Sequence, residues 1–296
     1  MPDTMTTTTT LSYDAAVERI KAIQSKEGAD IDPVCCTRLW THGQKTPRVL
    51  VYFHGYTNCP AQLDQLGETL YQKGFNVYVP RLPFHGLKDL MTTQQANLTA
   101  DMLVRLTNDS IDIAHGLGES VTVMGLSAGG VMAAYAAQFR GDVDLAVVIG
   151  PSFGIPFAPS FVSSFAEFIV PHIPNIFIWW DPRVKEKIQG PPYGYPRFST
   201  HALIQVFKAG ESVLAEAKHK PPAAKQVILI TTAADTAIHL PTAHKLGKEW
   251  KTSAPDRVQV REFAKDDNII HDMIDPRQTA QQIDVVYPVI LKSLGV

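Results

Sequence analysis

The sequence predicts an α/β fold in which helices flank a mostly parallel central sheet. Short runs rich in β-branched residues alternate with longer helical patterns along most of the 296 residues. Residues 48–54 read Arg-Val-Leu-Val-Tyr-Phe-His, a nearly continuous apolar run that is typical of a strand buried on both faces. Hydrophobic residues make up 45% of the chain and charged residues 19%, so the chain is able to build a full core and is not predominantly disordered.

The order of the elements follows from these patterns. The predicted strands lie at residues 34–40, 48–54, 76–80, 120–124, 145–149, 227–232 and 258–264. The first of them alternates in polarity, as an edge strand does. The predicted helices lie at residues 14–24, 61–73, 98–115, 130–138 and 276–294. Gly74 and Gly116 end the second and third helices, because glycine accepts the left-handed conformation that commonly terminates a helix.

Residues 151–200 interrupt the alternation, with 11 aromatic residues, nine prolines and no strand signal. Phe161, Phe165 and Phe168 are spaced to share one helical face. One interpretation is a helical excursion that packs this face onto the main domain; the other is a lid over an apolar pocket. On the second interpretation, the residues that line the substrate pocket are Phe161, Phe165, Phe168, Trp179 and Trp180.

Charge and cysteine content limit the possible partners and the compartment. The chain has 27 Lys and Arg against 29 Asp and Glu, a net charge of -2, so it has no electrostatic attraction for nucleic acid. Cys35, Cys36 and Cys59 form an odd, sparse set that does not predict a disulfide framework, and a reducing compartment is expected.

No segment predicts a membrane span or a signal peptide. The most apolar stretch, residues 165–180, contains Glu167, Pro171, His172 and Pro174, which argues against insertion in a bilayer. The N-terminus has no basic start followed by an apolar core. We therefore expect a cytoplasmic protein without stable membrane insertion. The oligomeric state is left open.

The strongest chemical signal is Gly125-Leu126-Ser127-Ala128-Gly129, between a predicted strand and a predicted helix. A sharp strand-to-helix turn needs glycines beside the serine, since a Cβ atom would clash there. Such a turn presents Ser127 at the carboxyl edge of the sheet, with a helix N-terminus directed at it. This pattern predicts a serine nucleophile.

A serine nucleophile needs a histidine base. His271 lies between the last predicted strand and the last helix, and His239 follows the preceding strand. Loops after parallel strands meet at the edge where ligand sites form. The position of His271 makes it the expected base.

The histidine in turn needs an acid to orient it. Asp235 follows the strand at 227–232, and the order Ser, Asp, His is the one that this strand–turn–helix architecture requires. Asp266, Asp267 and Asp272 are rival acids near the base. Asp272 is its neighbour in sequence, and adjacent side chains rarely face each other well.

Acyl transfer also needs donors for the developing oxyanion. The segment His54-Gly55-Tyr56-Thr57-Asn58-Cys59-Pro60 follows the buried strand, so the Tyr56 amide is expected to act with the Ala128 amide. His54 is expected to brace this loop rather than act as a base. The loop Arg81-Leu82-Pro83-Phe84-His85-Gly86 is expected to support it.

These motifs together resemble the α/β-hydrolase superfamily, in the bacterial carboxylesterase and monoacylglycerol-lipase-like branch. The resemblance extends from about residue 34 to the end, and the family often has Gly-His where this chain has Ile270-His271. It implies an α/β-hydrolase core at residues 1–150 and 226–296 with a small helical lid at residues 151–225. It also implies the triad Ser127, Asp235 and His271, with the Tyr56 and Ala128 amides as oxyanion donors.

The predicted function is a serine carboxylesterase that cleaves short-to-medium-chain or aryl esters through an acyl-enzyme intermediate. A peptidase, a thioesterase or a carbon–carbon hydrolase with the same triad remains open, as does a catalytically silent fold that binds a ligand. Dehalogenases and epoxide hydrolases are disfavoured because they need a carboxylate in place of Ser127. The expected partner is a small ester substrate, and no motif predicts a metal or a cofactor.

Overall fold

A computed structural model describes residues 11–157, 168–187 and 190–296. Its strands are β1 (Arg38–Trp40), β2 (Thr46–Phe53), β3 (Phe75–Val79), β4 (Gly118–Leu126), β5 (Leu145–Ile149), β6 (Phe177–Trp179), β7 (Arg197–Ser199), β8 (Gln226–Thr232) and β9 (Val258–Phe263). Its helices are α1 (Tyr13–Gln24), α2 (Asp64–Gln72), α3 (Ala100–Leu117), α4 (Ala128–Phe139), α5 (Thr200–Glu216), α6 (Leu240–Ser253) and α7 (Ile283–Ser293). The predicted α/β architecture is confirmed.

Within these residues, seven strands form one sheet in the order β1-β3-β2-β4-β5-β8-β9. β1 runs antiparallel to β3, and the other neighbours are parallel. The parallel strands therefore end at one edge of the sheet, and the loops after β2, β4, β8 and β9 meet there. This topology brings residues 54–60, called the oxyanion loop after their expected role, to the same edge as Ser127, Asp235 and His271.

Helices cover both faces of the sheet, which explains the unbroken apolar run in β2. Val49, Val51 and Phe53 join a core cluster with α1, α3, α4, α5 and α6. Leu50 and Tyr52 join the opposite cluster with α2 and α7. Successive side chains of a strand point to opposite faces, so a strand between two helical layers is apolar at every position.

Three predicted elements are shorter than expected. The helix predicted at 61–73 is only Asp64–Gln72, because Pro60–Leu63 forms a 3-10 turn. The strand predicted at 34–40 is only Arg38–Trp40, since Pro33–Cys35 forms a 3-10 turn in which the Val34 amide donates to the Asp32 carboxylate at 3.0 Å. It pairs only with β3, as an edge strand. The last helix begins at Ile283 rather than at residue 276, because the chain forms turns and a bend at residues 276–280.

The predicted lid segment contains elements that its sequence did not indicate. The absence of strands was wrong, because β6 and β7 pair antiparallel. The helix α5 was not predicted, and its buried face packs in the same cluster as the sheet. A Cβ atom on Gly210 of α5 would lie 2.5 Å from the Phe153 ring, so glycine permits this close approach. The C-terminal part of residues 151–225 thus belongs to the main core.

The structure contains one disulfide, which the odd, sparse set of cysteines did not predict. Cys35 and Cys59 are joined by a disulfide, with their Cα atoms 5.3 Å apart across 24 residues of sequence. Both are fully buried, and Cys36 is free and half-buried. The 3-10 turn before β1 meets the oxyanion loop, a juxtaposition that a count of cysteines does not reveal. The argument for a reducing compartment therefore no longer holds.

Candidate active site

Ser127 occupies a strained turn between β4 and α4. Its φ is 61°, in the left-handed region that non-glycine residues rarely adopt. A Cβ atom on Gly125 would lie 2.0 Å from the Gly129 carbonyl oxygen, and one on Gly129 would lie 1.9 Å from the Phe53 carbonyl oxygen. Only glycines fit on either side of this serine. The turn places Ser127 before the N-terminus of α4, where the helix dipole favours negative charge.

His271 and Asp235 form a hydrogen-bonded pair. The distance from His271 Nδ1 to Asp235 Oδ2 is 2.7 Å. A carboxylate accepts, so Nδ1 carries the proton and Nε2 keeps a free lone pair. The Asp235 side chain is 1% exposed and the imidazole is 21% exposed, so of the two groups it is the His271 ring that is accessible from the cavity. Its geometry is that of a base held by an acid.

The pair shifts both pKa values towards the charged forms. Burial disfavours the imidazolium, but the charge of Asp235, its hydrogen bond and the nearby Asp272 outweigh burial and raise the pKa of His271 above its ordinary value. Burial alone would raise the pKa of Asp235, yet His271 and the backbone donors at 237 and 238 lower it. The ion pair is therefore stabilised once the histidine accepts a proton.

The rival histidine and acids are placed elsewhere. His239 Nδ1 lies 2.7 Å from Thr242 Oγ1, at the N-terminus of α6. Asp266 and Asp267 are exposed, and Asp267 accepts from the Ala264 amide. Asp272 binds a set of side-chain amides. Among the described carboxylates, the one bonded to the His271 ring is Asp235.

The oxyanion loop is fixed from behind by His54. The buried ring accepts from the Leu82 amide at Nε2, at 3.1 Å, and its Nδ1 lies 2.9 Å from the Gly55 carbonyl oxygen. Nδ1 must therefore donate, and burial lowers the pKa of His54 well below its ordinary value, so the ring is neutral. This arrangement matches the bracing expected of His54, with the loop after β3 as its support.

Of the two residues whose amides are expected to bind the oxyanion, Tyr56 lies on the cavity wall, whereas Ala128 is fully buried and is not part of that wall. Neither the Tyr56 N–H nor the Ala128 N–H donates to a loop or side-chain acceptor in the described part of the chain. Tyr56 and Ser127 both line the cavity. The Tyr56 hydroxyl donates to Gln95 Oε1 at 2.8 Å, which anchors the side chain away from its own amide.

A cavity of about 680 Å³ lies over Ser127 and His271. Of the expected pocket residues, Trp180 lies on its wall. Phe168 is 69% exposed and Trp179 lies beneath the Arg197 guanidinium; neither belongs to the wall. Phe161 and Phe165 lie outside the described residues.

Sequence reasoning missed several wall residues. They are Leu90, Met91, Phe198, Leu203 and Phe207. Phe198 was one of the aromatic residues of the interrupted segment, but β7, not a helical stripe, presents it. Leu203 and Phe207 are four residues apart on α5, a spacing that would have found them had the helix been recognised.

Two further searches concern a metal and a membrane. Residues 11–157, 168–187 and 190–296 contain no group of three or more His, Cys, Asp or Glu side chains able to hold a metal ion. None of the described helices combines the length and apolar character that crossing a bilayer requires.

Several solved structures share this fold at low sequence identity. A metagenome-derived lipolytic enzyme has a TM-score of 0.67 and 16% identity, covering 90% of this chain and 98% of its own. The Paleococcus ferrophilus monoacylglycerol lipase has a TM-score of 0.64 and 20% identity, covering 87% and 97%. A soluble variant of the Saccharomyces cerevisiae monoglyceride lipase has a TM-score of 0.65 and 13% identity, covering 88% and 91%. These likenesses establish the fold.

The sequence itself identifies the family. Comparison with the curated proteins finds no match. The Hydrolase_4 family, described as serine aminopeptidase, S33, matches residues 44–286, which span the oxyanion loop, the serine turn and the His271 loop. The chain therefore belongs to the Hydrolase_4 (serine aminopeptidase, S33) family of the α/β-hydrolase superfamily.

Proposed function

We propose that the protein is a serine carboxylic-ester hydrolase that works through an acyl-enzyme intermediate. The observation that carries this proposal is the shared cavity. Ser127, on its strained turn, and His271, bonded to Asp235, line the same cavity as Tyr56. A nucleophile, an oriented base and an oxyanion donor are the parts that acyl transfer requires.

Each group has a role that follows from its environment. His271 Nε2 takes the proton from Ser127 Oγ as the oxygen attacks the ester carbonyl, and Asp235 stabilises the imidazolium. The Tyr56 and Ala128 amides bind the oxyanion of the tetrahedral intermediate. His271 then protonates the leaving alcohol, and water attacks the acyl-enzyme by the same steps in reverse.

The size and the apolar wall of the cavity suit an uncharged acyl or aryl group as the part of the substrate that binds there. Its apolar wall includes Trp180 and Phe198, whose ring centroids lie 4.4 Å apart. Clefts of roughly 300–1,000 Å³ suit small organic ligands. The described relatives include proteins named monoacylglycerol lipase and monoglyceride lipase, which fits an ester substrate here. The predicted lid role, limited to the part of residues 151–225 that precedes α5, and the predicted cytoplasmic location remain part of this proposal.

A peptidase, a thioesterase or a carbon–carbon hydrolase uses the same triad, and the family description names an aminopeptidase. A substrate panel separates these reactions from ester hydrolysis. Esters of p-nitrophenol should be cleaved much faster than aminoacyl anilides if the proposal is correct. Faster turnover of anilides would favour the peptidase, and faster turnover of acyl thioesters would favour the thioesterase.

The nucleophile is tested with a fluorophosphonate probe and Ser127→Ala. We expect the probe to label wild type at Ser127, and Ser127→Ala to lose esterase activity by about 10⁵- to 10⁶-fold while its melting temperature stays close to that of wild type. A folded wild type that neither reacts with the probe nor cleaves any substrate in the panel would indicate a silent ligand-binding fold. Retention of a tenth of the activity in Ser127→Ala would refute the assigned nucleophile.

A further inference from the structure

Asp272, the residue after His271, has a carboxylate whose acceptor positions are all used. Oδ1 accepts from Gln62 Nε2 at 2.9 Å and from the Asp275 amide at 3.3 Å. Oδ2 accepts from Asn58 Nδ2 at 3.0 Å and from Gln278 Nε2 at 2.7 Å. A carboxylate offers about four lone-pair sites, so this anion is fully satisfied by protein donors. It is therefore held in one orientation.

The Gln62 side chain extends this set of bonds to the oxyanion loop. Its Oε1 accepts from the Gly55 amide at 3.0 Å and from the Tyr52 hydroxyl at 2.8 Å. The Gly55 N–H only donates and the Asp272 carboxylate only accepts, so both ends fix the same orientation of the Gln62 amide. Asp272 is thus linked through one side chain to the residue before Tyr56.

Asn58 provides a second link between the same two loops. It lies two residues after Tyr56, and its Oδ1 accepts from the Cys59 amide at 2.9 Å while its Nδ2 donates to Asp272. The oxyanion loop is consequently held to Asp272 on both sides of Tyr56. Acyl transfer depends on the relative position of the base and the oxyanion donor, and small displacements of such groups lower rates strongly.

We propose that Asp272 is a positioning residue, which fixes the His271 loop against the oxyanion loop so that the imidazole and the Tyr56 amide keep one relative geometry. This inference rests on the proposed function. Asp272 does not orient the imidazole directly, which is the role of Asp235. It acts on the reaction through Gln62, Asn58 and the backbone next to His271, in addition to the charge by which it helps to raise the pKa of His271.

The test exchanges the carboxylate and the amide of the Asp272–Gln62 pair. In Asp272→Asn, one carboxylate oxygen becomes an amide nitrogen, which cannot accept the hydrogen bonds that the oxygen accepted. In Gln62→Glu, a second carboxylate faces Asp272, and the two negative charges repel each other. In the double variant Asp272→Asn/Gln62→Glu, the new amide donates to the new carboxylate. That carboxylate still accepts from Gly55 and Tyr52, and the amide oxygen at position 272 still accepts from Asn58 and Gln278. The 3.3 Å bond from the Asp275 amide is lost, because that N–H then faces the amide nitrogen.

We expect each single variant to lower kcat on a p-nitrophenyl ester by about 10²-fold, with KM within about twofold of wild type, because the loss is confined to the alignment of reacting groups. The double variant should recover to within about tenfold of wild type. Asp266→Asn is the matched control, since that carboxylate is exposed and lies on the same loop. It should leave kcat unchanged.

Active-site titration with the fluorophosphonate probe separates the possible failures. Rates are expressed per labelled Ser127, at a temperature well below the melting temperature of every variant, so a smaller folded fraction does not lower kcat. If wild type is not labelled, the proposed function fails. If wild type is labelled and Asp272→Asn stays within about twofold of its kcat, only the role of Asp272 is refuted. If Asp272→Asn does not fold, the comparison uses Gln62→Glu, and a double variant no faster than Gln62→Glu refutes the role.

Discussion

At the level of single residues, His271 should set the acidic limit of activity. The base must be neutral to take the proton from Ser127, and Asp235 and Asp272 hold the pKa of His271 above the ordinary value of 6.5 despite burial. A raised pKa keeps the ring protonated to higher pH, so kcat/KM should fall by half at a pH above 6.5 and continue to fall on acidification. A pH–rate profile on a neutral ester measures this midpoint. A midpoint below pH 6 would contradict the assignment.

Asp235→Asn should lower kcat far more than the same substitution at a nearby aspartate that does not contact the His271 ring. The amide at this position favours the wrong tautomer of His271 and removes the charge that stabilises the imidazolium, so kcat should fall by up to about 10⁴-fold. Its acidic midpoint should also shift to lower pH. Asp267→Asn is the control, because Asp267 only accepts from the Ala264 amide at 2.9 Å. A larger loss in the control would make another acid the orienting group.

The sequence identified Ser127 by a local signature, and Asp235 and His271 by their positions after predicted strands. Ser127 stands between glycines on a strand-to-helix turn, and the close approaches at Gly125 and Gly129 explain why that pattern is informative. Asp272 had no such signature. Its role depends on amides at positions 58, 62 and 278, which only the folded chain brings together. Without those contacts, the sequence indicated Asp272 only as a rival of Asp235 for the orienting acid.

At the level of elements, the Cys35–Cys59 disulfide ties the oxyanion loop to the turn before β1. The bond closes a segment with a sequence separation of 24, and restricting the unfolded chain in this way contributes about 3 kcal/mol. Replacing both cysteines with serine should lower the free energy of unfolding by about that amount, as measured by urea denaturation.

Cys36→Ser is the matched control for the disulfide, since Cys36 is adjacent in sequence and free. It should change the free energy of unfolding by less than about 1 kcal/mol. Wild type in a thiol reductant should approach the double serine variant. If wild type without reductant is no more stable than the double serine variant, the disulfide does not contribute to stability.

At the level of the whole molecule, the central strands are the elements whose sequence was most informative. Strands β2 to β5 and β8 lie between helical layers, so burial requires an apolar run in each of them, whereas the edge strand β9 buries only Val258 and Phe263. The pair β6 and β7 has three residues per strand, and one of them, Arg197, lies over the Phe177 ring. Such short, half-exposed strands have no distinctive periodicity. The segment that bounds the cavity was therefore the part of the fold that the sequence predicted least accurately.

The size of that cavity should determine which esters the molecule prefers. Trp180 lines the wall and donates from Nε1 to Thr57 Oγ1 at 3.0 Å, whereas Trp179 lies outside the wall. Trp180→Ala should move the optimum of kcat/KM to longer acyl chains, with a gain of up to about fourfold for each methylene that the enlarged cavity buries. A series of p-nitrophenyl esters of increasing chain length measures the shift, and acetate should change least.

Two variants isolate the wall from other effects of Trp180. Trp179→Ala removes an indole of the same strand segment without opening the cavity, so its chain-length profile should match that of wild type. Trp180→Phe keeps an aromatic wall but loses the hydrogen bond to Thr57 on the oxyanion loop, so it should lower kcat for all chain lengths alike and leave the optimum in place. If Trp179→Ala shifts the optimum as far as Trp180→Ala, or if neither moves it, the wall containing Trp180 does not select the substrate.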